Sequence, residues 1–244
     1  MNRIALLVFL MAALPSWAGA AETADELVAR NIAARGGAAQ IQALHSLRLS
    51  GRLLVNGGQF ELALTETRVR GAGVRSEASV QGLTVVQAYD GHDGWQINPF
   101  QGRKDPERLP PDDVKELADS ADLDGAWVDY KAKGSQLEYL GTEDVDGTAA
   151  HKLRLSLANG DLQTVYLDPD AFLVIRIVNS RTIRGALQET VTDFGDYEQV
   201  AGVYVPLALE TGPKGSQDRQ KIEFDKAEGN VTVDPAVFHF PAAK

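Results

Sequence analysis

Apolar residues recur at every second position through much of this chain, in segments separated by short glycine-containing turns. From Leu47 onward, Leu49, Leu53 and Val55 share one parity, while Arg48, Ser50 and Arg52 occupy the other. A period of two predicts a strand with one apolar face. Gly57 and Gly58 permit a tight turn with positive φ, and the returning segment sets Phe60, Leu62 and Leu64 against Glu61 and Thr65. With a short turn at Asn56-Gly57 or Gly57-Gly58, the odd apolar residues of the first strand face the even ones of the second, so both stripes fall on one face.

Further hairpin signals follow along the chain. Asp90-Gly91-His92-Asp93-Gly94 separates an apolar segment ending at Tyr89 from Trp95, and Asn159-Gly160 separates Leu153 to Leu157 from Leu162 to Leu167. Asn-Gly between apolar segments is a strong short-range hairpin signal. After the turn Asp168-Pro169-Asp170, residues Phe172 to Val178 are almost continuously apolar, which predicts a strand covered on both faces. Later strands are expected over Ala186 to Phe194, Val203 to Glu210 and Lys221 to Ala227. No strand-helix-strand alternation occurs, so the expected fold is mainly β, one antiparallel sheet in hairpin order.

Two helices are legible. Thr23 with Glu26 forms a capping box that opens an amphipathic segment from about Asp25 to Arg35, closed by Gly36-Gly37. The second lies in a proline-rich stretch, where Val114, Leu117, Ala118 and Ala121 at i, i+3, i+4 and i+7 form one apolar face. A single domain over residues 21–244 is expected, with a loop-helix insertion at about 96–133. The inserted helix needs an apolar partner, and the apolar face of a curved sheet is the candidate.

The chain begins with Met1-Asn2-Arg3, an apolar run from Ile4 to Leu14, and the small residues Ala18-Gly19-Ala20. That pattern is a secretory signal peptide, with cleavage expected after Ala20. The run is short for a membrane-spanning helix, which needs about 20 residues. The chain has no cysteine, so disulfides, thiolate metal sites and acylation of an N-terminal cysteine are excluded. The expected state is a soluble periplasmic protein without a lipid anchor. The net charge of −10 repels phosphate backbones and argues against nucleic-acid binding.

Catalytic and metal-binding patterns are absent. The histidines His45, His92, His151 and His239 lack ligand spacing. A calcium-loop register with Gly125 at its sixth position puts Lys131 where a bidentate glutamate is required. No nucleophile elbow, phosphate-binding loop or dinucleotide glycine motif occurs. A binding protein without a cofactor, rather than an enzyme, is the expectation.

The segments Tyr89-Asp90-Gly91, Gly94-Trp95 and Pro99-Phe100 resemble those of the LolA-like outer membrane lipoprotein-sorting family. So do Ala121 to Gly125, Tyr130 to Gly134, Tyr166-Leu167-Asp168-Pro169, Asp196-Tyr197, Gly202 to Pro206, and Val233-Asp234-Pro235 with Phe238 and Pro241. The resemblance implies an incomplete antiparallel β-barrel of roughly eleven strands, with helices closing an apolar cavity. It also implies a carrier for the acyl part of a lipid or lipoprotein, moving between an inner-membrane donor and an outer-membrane acceptor. A lipid-binding sensor or interaction module of envelope signalling is the alternative. The family's carriers hold cargo with a strand arginine near the cavity; Arg48 and Arg52 lie opposite the apolar stripe, so that role is not transferred to them. The expected cavity or lid residues are Leu53, Val55, Phe60, Leu62, Leu64, Trp95, Phe100, Val114, Leu117 and Trp127.

Overall fold

A computed structural model describes residues 22–241; the signal-peptide segment and the expected cleavage site lie outside them. The N-terminal half of the sheet comprises β1 (Ser46–Val55), β2 (Phe60–Val69), β3 (Gly73–Val80), β4 (Leu83–Tyr89), β5 (Gly94–Asn98) and β6 (Arg103–Arg108). The other half comprises β7 (Gln136–Val145), β8 (Thr148–Ser156), β9 (Leu162–Leu167), β10 (Val174–Ile183), β11 (Ala186–Val200), β12 (Val203–Pro213) and β13 (Gln220–Gly229). Three helices accompany them: α1 (Ala24–Ala34), α2 (Ala38–Ala43) and α3 (Pro111–Ala121).

All thirteen strands form one antiparallel sheet in the order β6-β5-β4-β3-β2-β1-β13-β12-β11-β10-β9-β8-β7. Every neighbouring pair is a sequence hairpin except β1 with β13, which joins the two ends of the strand run. The sheet is curved but unclosed, with β6 and β7 as its free edges. The sheet has thirteen strands where the resemblance implies roughly eleven, and β3, β6 and β7, whose alternation is weak, are the strands that the sequence pattern does not pick out. Strand β6 reads Arg-Lys-Asp-Pro-Glu-Arg, and proline is tolerated there because an edge strand need not donate every amide. Strand β7 breaks register between Tyr139 and Thr142. Charge, proline and irregularity at both edges discourage pairing with another chain.

The expected β1-β2 stripe is present. Leu53 pairs with Leu62 and Val55 with Phe60, which puts all four on the same face. Arg48 and Arg52 point to the opposite, convex face, where Arg52 is bonded to Glu223. At the β1-β13 seam the register shifts between Ser50 and Gly51. A Cβ on Gly51 would lie 2.0 Å from the Glu223 carbonyl oxygen, so the bulge requires glycine there.

The concave face is filled at one end. Leu27 of α1 is fully buried against Leu153, Val165, Leu167 and Val174. Ile41 of α2 and the following Leu44 pack with Leu47, Leu49, Val203 and Val205. The capping box at Thr23 forms as expected. The proline-rich stretch contains more order than a loop and one helix: it supplies edge strand β6 before α3.

An ionic clamp ties this filling together. Arg70, at the end of β2, donates to both carboxylate oxygens of Asp124 at 2.7 Å and to the Ile41 carbonyl at 2.7 Å. The Arg70 hydrogen bond lowers the Asp124 carboxyl pKa, against opposing desolvation by burial. A depressed folded-state pKa stabilises the fold above the unfolded-state value and loses that contribution as pH falls through the folded one. Asp124→Asn is therefore expected to unfold more easily than the parent at neutral pH. The difference should close as pH falls below about 4, measured by urea unfolding across a pH series.

Candidate functional site

Helix α3 crosses the concave face and borders a half-open cavity of about 1260 Å³. It contacts β2, β3, β4 and β5. Gly94 permits this approach, since a Cβ there would lie 2.8 Å from Val114 Cγ2. On the far side α3 is held by charge. Asp119 accepts from Arg181 of β10, Arg184 bonds Asp113, and Lys115 lies 3.6 Å from Asp161. The helix thus bridges the two halves of the sheet, by close packing on one side and ion pairs on the other.

Arg181 is 9% exposed and Asp161 4%, while the Asp119 side chain is about a third exposed. Burial raises the Asp119 carboxyl pKa and nearby Asp161 adds to the rise, while Arg181 opposes it. Two carboxylates around one guanidinium leave Asp119 easier to protonate than an exposed aspartate.

The wall divides into bands that follow the strand register. One is apolar: Phe194 pairs with Leu209, Leu209 with Ile222, Ile222 with Leu53, and Leu53 with Leu62. Its Phe194, Leu209 and Ile222 line the cavity, as do Ile177 and Trp127. A second band is polar and runs by direct pairing from Glu66 through Ser76, Gln87 and Gln96 to Glu107. A third crosses the other half, where Gln163 pairs with Asn179 and Asn179 with Thr190. Of the residues expected from sequence to line a cavity or its lid, only Trp127 is on this wall; its other apolar lining comes chiefly from Phe194, Leu209, Ile222 and Ile177, and the remainder is largely polar.

The sequence candidates fall in different places. Trp127 is on the cavity wall, and its indole Nε1 donates to Asn31 Oδ1 at 2.9 Å. Asn31, fully buried on α1, fixes that acceptor by donating its amide to the Phe172 carbonyl. Leu64 belongs to the core with Leu47, Leu49 and Phe224, and Leu53 packs against that cluster. Leu62 is half-buried beside it, while Val55 and Phe60 stand at the hairpin end, with Phe60 exposed. Val114 packs toward Gly94 and Leu117 is buried on α3. Phe100 is exposed in the turn before β6.

Trp95 lies on the other side of the sheet from Gln96, its cavity-lining neighbour, because successive strand residues face opposite ways. It is buried on the convex face with Val86, Ala88 and Phe240, and donates its Nε1 proton to the Phe238 carbonyl at 2.7 Å. The two tryptophans therefore lie on opposite sides of the sheet. Sequence reasoning missed the polar bands. The available signal was that Glu66 and Arg68 continue the parity of Phe60, Leu62 and Leu64, and that Asn179 and Arg181 continue that of Ile177.

No protein-family model matches the sequence, and no curated protein matches it. Solved structures do. A protein domain assigned to outer membrane lipoprotein sorting, from Vibrio parahaemolyticus, superposes with a TM-score of 0.58 at 12% identity, covering 87% of this chain and 94% of that one. A DUF1329 family protein from Desulfovibrio piger gives 0.60 at 14%, covering 88% and 97%. A LolA superfamily protein from Nitrosomonas europaea gives 0.56 at 13%, covering 90% and 98%. At these identities the likeness establishes a shared fold.

Proposed function

We infer that this chain, a LolA-like open barrel, is a periplasmic carrier that shelters the acyl part of a lipid or lipoprotein on its way toward the outer membrane. The observation that carries this reading is the half-open cavity of about 1260 Å³ under α3, with an apolar band across its otherwise polar wall. Three further features agree with it: the signal-peptide pattern in the sequence, the likeness to a domain assigned to lipoprotein sorting, and the absence, among the described residues, of a helix able to cross a membrane. Covering about ten methylenes at roughly 0.8 kcal/mol each gives on the order of 8 kcal/mol, a micromolar grip before ordering costs. Such a grip holds cargo against water and still releases it to an acceptor protein or membrane.

Trp127 offers a direct test. Titration of the delipidated protein with monoacylglycerols should shift intrinsic fluorescence saturably, with Kd falling roughly threefold to fourfold per added methylene. Trp127→Phe should remove most of the shift, because Trp95 lies across the sheet. An affinity independent of chain length would reject acyl carriage. Calorimetric binding with unchanged emission would remove Trp127 from the site.

A further inference from the structure

The β9-β10 part of the cavity wall contains unmet hydrogen-bonding capacity. Gln163 Oε1, Asn179 Oδ1 and Arg181 Nε are buried without a hydrogen-bond partner, and all three residues line the cavity. Gln163 is 5% exposed and Arg181 9%. Gln163 lies directly opposite Asn179 in the ladder, and Arg181 is the next residue of β10 on the same face. Directly opposed side chains have Cβ atoms about 5 Å apart, so these groups form one patch. The Gln163 amide orientation is fixed, because its Nε2 donates to the Asp119 carboxylate at 3.2 Å. Its oxygen is the free end. Arg181 binds Asp119 through Nη2, and its Nε lies 3.5 Å from an Asp161 oxygen without a hydrogen bond.

Buried polar atoms are nearly always satisfied, so such a cluster in a cavity wall points to what the cavity takes. The Gln163 oxygen needs a donor and the Arg181 Nε–H needs an acceptor, while the Asn179 amide, held by no side-chain hydrogen bond, can present either end. A hydroxyl is both. A phosphate or carboxylate offers acceptors only and would leave the fixed Gln163 oxygen unmet. An ammonium offers donors only and would meet the guanidinium charge.

The electrostatics of the rest of the wall agree. Each cation lining the cavity is already engaged by a carboxylate: Arg68 by Glu66, Arg103 by Glu107, Arg108 by Asp93, Lys133 by Asp122, Arg181 by Asp119 and Arg184 by Asp113. An anionic headgroup would have to compete for them. We propose that the cavity selects an uncharged, hydroxyl-rich group, a sugar or glycerol moiety, and that Gln163, Asn179 and Arg181 are its recognition patch. The proposal rests on the carrier reading for the acyl chain beside it, and the apolar band through Phe194, Leu209 and Ile222 is where that chain would lie.

The shared hydroxyl chemistry could come from a lipid headgroup or from a free sugar, and calorimetry on the full mature chain separates them. Decyl glucoside, decanoate, decyl phosphate and free glucose would be titrated below micelle-forming concentrations. The glucoside should bind roughly tenfold more tightly than either anion, as two added hydrogen bonds would give. Asn179→Leu should abolish that advantage by weakening the glucoside alone among the decyl ligands; the replaced side chain has no side-chain hydrogen bond to lose. If that variant does not fold, Asn179→Ala serves the same comparison. Equal affinity for all three decyl ligands, or preference for an anion, overturns the patch and leaves the carrier standing. Glucose binding as tightly as the glucoside supports the patch and removes the acyl carrier. Binding by none of the four overturns both.

Discussion

Phe238→Ala is expected to lower stability by about 3–5 kcal/mol, the usual cost of truncating a buried aromatic residue, and Tm by roughly 6–20 °C. Phe238 is fully buried although it stands only a few residues from the C-terminus. The segment before it is ordered by local bonding: Asp234 caps the turn Pro235–Val237 by accepting from the Ala236 amide at 2.9 Å. The Val237 carbonyl accepts from Arg75 and the Phe238 carbonyl from Trp95. The segment therefore covers the convex face of β3 to β5, which would otherwise expose Val86 and Trp95 to water. Phe240→Ala should cost clearly less, since that ring meets Trp95 edge-on and is only half-buried. Thermal unfolding followed by Trp95 emission measures both. A Tm change under about 2 °C for Phe238→Ala would mean that the segment is a peripheral strap rather than part of the core.

The order of the hairpins was readable because the strands near the middle of the sheet alternate cleanly. Leu53 pairs with Leu62 as the parity of the sequence requires. The edges were not readable for the same physical reason that they are edges. A strand with one free side gains little from apolar alternation and is safer carrying charge or proline, so Arg103–Arg108 resembles a loop in sequence. Helix α2 was hidden by its length of six residues, too short to show helical periodicity. Its place is set by tertiary contacts through Ile41 and by Arg70 binding its carbonyl.

The candidate site was less legible than the fold. Sequence does not separate apolar strand residues of the core from those of a cavity wall, because the same parity serves both. Leu64 lies in the core and Phe194 on the cavity wall, although both come from half-buried strands on the concave face. The distinguishing mark is polar: a strand that keeps its inward parity but changes from leucine to glutamate, or from isoleucine to asparagine, is leaving the core and entering a wet wall. Glu66 and Asn179 mark that change on the two halves of the sheet. Trp95 illustrates the opposite error. It is expected at the cavity or lid, but its parity with Ile97 and its place with Val86 put it on the convex face.

Arg181→Leu is expected to cost about 3 kcal/mol, the lower end of the range for breaking a buried ion pair, because Lys115 remains near Asp161 to soften the loss. The guanidinium is the main positive charge between Asp119 on α3 and Asp161 in the turn before β9. Without it two carboxylates face each other in a largely buried setting, and the ionic side of the α3 bridge is weakened. The Asp119 carboxyl, already raised by burial, should rise further. A carboxyl whose folded-state pKa lies above its unfolded value destabilises the fold above the folded pKa, and the penalty disappears below the unfolded one. The gap between variant and parent should therefore narrow as pH falls from 7 toward about 4, because the variant sheds its penalty; for Asp124→Asn the gap also closes in acid, but at lower pH and because the parent loses stability. Replacing both partners in Arg181→Leu with Asp119→Leu should recover part of the loss, since an apolar pair leaves one buried charge fewer to be compensated. Urea unfolding across that pH range, with amide exchange in α3 as a local readout, tests each step. A loss under about 1 kcal/mol with unchanged exchange in α3 would show that close packing at Gly94 and Val114, and not the ion pairs, holds the helix across the cavity.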